Sequence, residues 1–153
     1  MSAVLKTKYQ FRPMQLDDLD AIMVIESQIY PYPWTIGNFS DSLNSGYSAW
    51  ILMHNEEIIG YSFMMMVLDE AHLLNLSIAR TYQKQGLGRT LLEHMVDIAK
   101  NNQMANMFLE VRQSNISAIA LYENMGFNEM AIRRNYYPAT NGREDAILMG
   151  LAL

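Results

Sequence analysis

The chain has 153 residues, half of them hydrophobic, which suits one domain with an ample core. A formal net charge of -5, with no block of five like charges, excludes the basic surface of a non-specific nucleic-acid binder. The absence of cysteine excludes a disulfide framework, a thiolate zinc site and an acyl-cysteine intermediate.

In chain order, Met1 to Gln10 shows no apolar core of signal-peptide length. The longest apolar stretch, Ile58 to Leu68, is far short of the roughly 20 residues that span a membrane. The expectation is a soluble, cytoplasmic protein, with a monomer favoured. Tyr9 to Arg12 reads as a short strand. Asp17 to Ile29 reads as a helix, with Leu19, Ile22, Met23 and Ile25 on its apolar face. Pro31 and Pro33 end it, and Thr35 is placed to cap a second helix to about Leu43. Trp34, in the proline loop, is expected to pack over these helices.

Ser48 to Met53 and Ile58 to Val67 read as paired strands around a polar turn, and Ala71 to Ile78 as a third strand. Gly86 opens a helix to about Asn101, with Leu87, Leu91, Leu92, Met95 and Ile98 at helical spacing. Met107 to Val111 is a short strand. Ser117 to Met125 is a helix stopped by Gly126. Phe127 to Ala131 and Asp145 to Leu151 are the final strands. Antiparallel strands followed by a strand-helix-strand unit predict an α/β mixed sheet. His54, His72 and His94 share no metal spacing, and no metal is expected.

Gln83, Lys84, Gln85, Gly86, Leu87, Gly88 and Arg89 lie between a strand and an amphipathic helix. The two glycines let the backbone turn and approach a ligand closely. The first N–H groups of a helix lack internal partners, and the helix dipole favours an anion such as pyrophosphate there. A Walker A loop would need glycine where Gln83 stands, and a Rossmann fingerprint would need one where Leu91 stands. The alternative is a glycine-rich helix start that binds nothing.

Further on, Glu110 ends an apolar strand and points away from the side of Leu109 and Val111. A carboxylate there can serve as a base. Asn115 is placed to cap the next helix, and Tyr122 lies near that helix's middle. A phenol with a pKa near about 10 stays protonated at neutral pH and can donate. Taken singly, Glu110 also reads as a solvated strand terminus and Tyr122 as an aromatic core residue; with the glycine loop upstream the catalytic reading is the better one.

Together these residues resemble the GNAT N-acetyltransferases. Gln83 to Gly88 matches the family's Q/R-x-x-G-x-G/A motif, and Asn115, Ala118, Leu121, Tyr122, Gly126 and Phe127 match its N-x-x-A-x-x-L-Y-x-x-x-G-F segment. The tail from Arg133 to Pro138 and from Gly142 to Ala146 is similar to that of RimI-type members. Ser77-Ile78-Ala79-Arg80 departs from the V-x-P-like turn of many relatives.

The resemblance implies a single GNAT domain over residues 1–153. Its sheet would be mostly antiparallel, splayed between the fourth and fifth strands, with helices on both faces. It implies acetyl-CoA as co-substrate. Leu76, Ser77 and Ile78 would meet the pantetheine arm, residues 83–89 the pyrophosphate, and Asn115 the arm again. It assigns Glu110 as general base and Tyr122 as general acid. The RimI-type likeness implies the N-terminal alanine of ribosomal protein eighteen of the small subunit as acceptor. Tyr136, Tyr137, Glu144 and Asp145 would line a peptide groove, the carboxylates holding a basic second residue. The rival readings are a family member acting on a small amine or lysine side chain, and a non-catalytic acyl-CoA-binding regulatory module.

Overall fold

A computed structural model describes residues 8–153; of the leader reading for Met1 to Gln10, residues 1–7 lie outside the described residues. Seven strands form one sheet, in the order β1-β2-β3-β4-β5-β7-β6. They are β1 (Tyr9–Pro13), β2 (Ser48–His54), β3 (Glu57–Val67), β4 (Glu70–Ile78), β5 (Asn106–Arg112), β6 (Asn128–Ala139) and β7 (Gly142–Ala152). Four α-helices accompany them: α1 (Leu19–Ile29), α2 (Ile36–Asn44), α3 (Leu87–Asn101) and α4 (Ile116–Asn124). β4 and β5 pair in parallel, from Glu70↔Asn106 to Leu73↔Leu109. The β1–β2, β2–β3, β5–β7 and β6–β7 pairs are antiparallel. The mixed α/β architecture is the expected one.

The contacts divide the described chain into two compact units. One holds the residues up to Met64 with Asn75–Leu92, the other Met65–Leu74 with Glu93–Leu153. In the first, α1 buries Leu19, Ile22, Ile25 and Glu26, a stripe at helical spacing. The chain leaves the helix at Tyr30, extended because Pro31 follows. Thr35 caps α2 reciprocally: Asn38 N donates to Thr35 Oγ1 and Thr35 N to Asn38 Oδ1, both at 3.0 Å.

α1, α2 and the strands bury Phe39, Ile51, Tyr61 and Phe63 in one cluster, with Trp34 packed 5.0 Å from the Phe39 ring. A second cluster holds Leu52, Ile59, Ile78, Leu87 and Leu91. A bulge between Leu52 and Met53 puts Ile59, not Ile58, in the Leu52 cluster, away from Tyr61 and Phe63.

In the second unit β5 alternates strictly, burying Met107, Leu109 and Val111 and leaving Phe108, Glu110 and Arg112 partly open. Asn115 Oδ1 accepts from Ala118 N at 3.2 Å and caps α4. Gly126, at φ +103, ends that helix in the left-handed conformation, and Phe127 N returns 3.0 Å to Tyr122 O.

The last two strands are longer than expected. β6 runs through Pro138 to Ala139 and β7 begins at Gly142, so the two strands join in a hairpin. β6 is an edge strand, exposed over nearly all its length, and shows no alternation of apolar and polar residues. Two interruptions hide its period further, between Glu129 and Ala131 and between Arg133 and Tyr137.

Candidate active site

The first unit gathers the residues expected to hold the cofactor arm and pyrophosphate except Asn115. Ser77 and Ile78 are buried at the end of β4, next to the half-buried Leu76. Buried polar groups hold this backbone. Ser77 Oγ lies 2.7 Å from Tyr30 Oη and donates to Asn75 Oδ1 at 2.6 Å; Ser62 Oγ donates to Asn75 O at 2.7 Å. Burial raises the Tyr30 phenol to about 12, so it stays a neutral donor. Glu26, buried on α1, accepts from Tyr61 Oη at 2.7 Å, Trp34 N at 2.9 Å and Asn75 Nδ2 at 3.4 Å. Gly60 on β3 makes the approach of β4 possible: a Cβ there would meet Ile78 Cδ1 at 2.8 Å and Ser77 O at 3.0 Å.

After β4 the chain makes a short 3-10 turn, Arg80–Tyr82, and then the glycine loop. Gln83 Nε2 donates to Ile78 O at 3.0 Å, tying loop to strand end. Lys84 at φ 63 and Gly86 at φ 80 are both left-handed. Residues 83–86 are exposed, whereas Leu87 is buried and anchors the start of α3. The first helical bond is Thr90 N to Gly86 O at 3.2 Å. The N–H groups of residues 86–89 therefore precede the helical ladder, as an anion cradle requires.

The second unit gathers Glu110, Asn115, Tyr122, Tyr136, Tyr137, Glu144 and Asp145. Tyr122 is buried on α4, its ring 5.7 Å from that of Phe127. Glu110 Oε2 is shielded from solvent and makes no hydrogen bond, but Arg133 Nε lies 3.3 Å away. That contact is an ion pair without hydrogen-bond alignment.

Arg112 binds Glu144 Oε1 at 2.8 Å and Pro138 O at 2.7 Å, with its guanidinium 4.5 Å over the Tyr137 ring. Bonds from Arg112 and Ser114 hold the Glu144 carboxyl below its usual range. Asp145 accepts from Asn135 N at 2.9 Å and lies 3.7 Å from Arg134. Both hairpin carboxylates thus have partners within the chain. Burial, with Glu110 as the next cause, raises the Tyr137 phenol to about 12.

Glu26, Tyr30, Gly60, Arg112 and Arg133 had not been singled out from sequence. Glu26 was marked by position alone: a carboxylate one residue after Ile25, inside the apolar stripe of α1. Nothing in spacing links Arg133 to Glu110. Among the described residues no group of three or more His, Cys, Asp or Glu side chains could hold a metal ion. No helix among them is long and apolar enough to cross a membrane.

Residues 19–127 match the acetyltransferase (GNAT) family. The chain is 45% identical to the [ribosomal protein bS18]-alanine N-acetyltransferase of Escherichia coli strain K12, over 92% of this chain and 95% of that protein. Its fold superposes with a TM-score of 0.90 on the crystal structure of the ribosomal-protein-S18-alanine N-acetyltransferase from Escherichia coli, at 44% identity, covering 94% of this chain and 93% of that one. Arabidopsis thaliana NAA60, crystallised in complex with acetyl-CoA, shares the fold with a TM-score of 0.84 at 22% identity, over 95% of this chain and 99% of that one. With a family match across most of its length and a relative this similar end to end, the chain belongs to the GNAT acetyltransferase family.

Proposed function

We propose that this protein transfers the acetyl group of acetyl-CoA to the N-terminal alanine of ribosomal protein bS18, acting in the cytoplasm as one domain over residues 1–153. The observation that carries this is the 45% identity, over nearly the full length of both chains, to an enzyme of that name. The backbone of residues 76–78 and the N–H groups of the glycine loop bind the cofactor in this reading, with Asn115 at the arm.

A peptide α-ammonium has a pKa of about 7.7–8.0 and must lose a proton before it can attack. Glu110 takes that proton. The amine nitrogen then forms a bond to the thioester carbon, and a backbone N–H near Ile78 stabilises the oxyanion. As the C–S bond breaks, the electron pair goes to sulfur and Tyr122 protonates it. The nitrogen's second proton restores the phenol, and the proton on Glu110 leaves to water. Tyr136 and Tyr137 offer the peptide rigid aromatic contact. A basic second residue would reach Glu144 or Asp145 by sharing oxygens with their present partners.

The test is incubation with acetyl-CoA and a synthetic peptide beginning Ala-Arg, read by mass. One acetyl group on the α-nitrogen is expected. Exclusive modification of an internal lysine, or of a polyamine offered in parallel, would favour the side-chain or small-amine reading; no CoA release from any acceptor would favour a binding module. Tyr122→Phe is expected to lower kcat about 100-fold, the low end of positioned proton transfer, because a thiol with a pKa near about 8.5 leaves tolerably unprotonated. An unchanged kcat would remove Tyr122 from the mechanism.

A further inference from the structure

The first interruption of β6 decides which side chain meets Glu110. β5 and β7 pair Glu110↔Leu148 and Arg112↔Ala146, so the even-numbered residues of this part of β7 share Glu110's face. β6 enters with Asn128↔Gly150 and Glu129↔Met149, and then skips to Ala131↔Leu148. Met130 is the extra residue. Without it, Ile132 would stand opposite Ala146 on the face of Glu110, and Arg133 would point to the other side. With it, Arg133 stands opposite Ala146. Gly150 leaves space for the Met130 side chain, whose Sδ would lie 2.5 Å from a Cβ there.

The second interruption holds Arg133 in company. Arg133↔Ala146 is followed by Tyr137↔Glu144, leaving three residues of β6 opposite Asp145. The two additional residues keep the alternation and draw Tyr137 toward Arg133 by about 7 Å of strand rise. Asn135, at φ 53, takes the left-handed turn. Arg143 pins it, donating to Asn135 O at 2.8 Å and Tyr136 O at 2.7 Å. The Arg133 guanidinium lies 5.1 Å over the Tyr136 ring. Bulges beside a reactive group re-aim side chains in this way.

We propose that Arg133 is the resident counter-ion of Glu110, a positioning residue that occupies the carboxylate until the substrate's α-ammonium displaces it. This rests on Glu110 being the base. The pair is built to be exchanged. Arg133 is 57% exposed and the contact has no hydrogen-bond alignment, so releasing it leaves a solvated guanidinium on the tyrosine face. Arg112, the other cation on this face, is committed to Glu144 and Pro138 O. Tyr137 on β6 interacts electrostatically with Glu110, and Tyr136, Arg112 and Glu144 act on the same phenol.

A guanidinium beside the carboxylate competes with an incoming ammonium for it. Arg133→Met should therefore lower the peptide KM about two- to fivefold while leaving the acetyl-CoA KM in place. Arg133→Lys should restore the peptide KM toward wild type. A merely structural arginine would give the opposite sign, a raised peptide KM. An unchanged or raised peptide KM in Arg133→Met overturns the proposal. Glu110→Gln run in parallel separates the two claims. Near-normal turnover there removes the base assignment and the counter-ion role with it, whereas an inactive Glu110→Gln beside an unaffected Arg133→Met removes only the counter-ion.

Discussion

Glu110→Gln is expected to lower turnover about 10²–10⁴-fold, the range typical of a lost positioned base, with acetyl-CoA affinity near the wild-type value. The amide keeps the shape of the side chain but cannot accept a proton from an ammonium. The surroundings make this a clean substitution. Glu110 Oε2 makes no hydrogen bond, so the change breaks none there. Arg133 loses its ionic partner but is more than half exposed and keeps the Tyr136 ring, so little stability goes with it. The loss should appear in kcat, measured at saturating acetyl-CoA and peptide, while thermal unfolding stays close to wild type. Retained kcat would remove Glu110 as the base. A large fall in melting temperature would mean that the lost activity reports folding instead of chemistry.

Much of the architecture was legible because the periodicities are strong. Ile22 and Ile25 mark the buried face of α1, Thr35 caps α2 as its position suggested, and Met107, Leu109 and Val111 alternate as a half-buried strand must. The glycine loop was legible through Gly86, which is left-handed before the helix; the other left-handed position is Lys84, which residue type does not announce, and Gly88 lies within the helix. What escaped was the geometry that depends on pairing. β6 carries Arg133, Arg134, Asn135 and Pro138 on an exposed edge, where burial imposes no alternation. Its register is set by Met130 and Asn135, neither of which announces a bulge in sequence. The Arg133–Glu110 contact follows from that register, so no reading of spacing could reach it. Likewise Glu144 takes its partners from Arg112 and Ser114, at and just past the end of β5, and Asp145 takes Asn135 from within the hairpin. Sequence alone left those carboxylates free for a substrate.

Glu26→Ala is expected to destabilise the protein by about 3–5 kcal/mol, the largest effect on folding of any single polar change in the first unit. The side chain is 1% exposed, and its two oxygens serve three donors: Tyr61 Oη, Trp34 N and Asn75 Nδ2. Removing it takes the acceptor from a buried hydroxyl and a backbone N–H, each costing about 1–3 kcal/mol, and opens a cavity beside Ile22 and Tyr61. The Tyr61 phenol, whose pKa burial and Glu26 together push far up, loses its carboxylate acceptor and is left with the Ser77 hydroxyl. Glu26→Gln should cost less, about 1–3 kcal/mol, because one oxygen still accepts while the new NH₂ confronts a donor. The consequence reaches the cofactor strand. Asn75 bonds Glu26, Ser77 bonds Asn75, and Tyr30 bonds Ser77 and the carbonyl of Leu76. Loosening that chain should raise the acetyl-CoA KM in Glu26→Gln even at temperatures where the variant is fully folded. Urea unfolding monitored by tryptophan fluorescence, paired with acetyl-CoA titration of kcat/KM, checks both parts. A Glu26→Ala protein within 1 kcal/mol of wild type would show that water or a rearranged neighbour replaces the carboxylate. An unchanged acetyl-CoA KM in the folded Glu26→Gln variant would mean that the backbone of residues 76–78 holds its shape without this network.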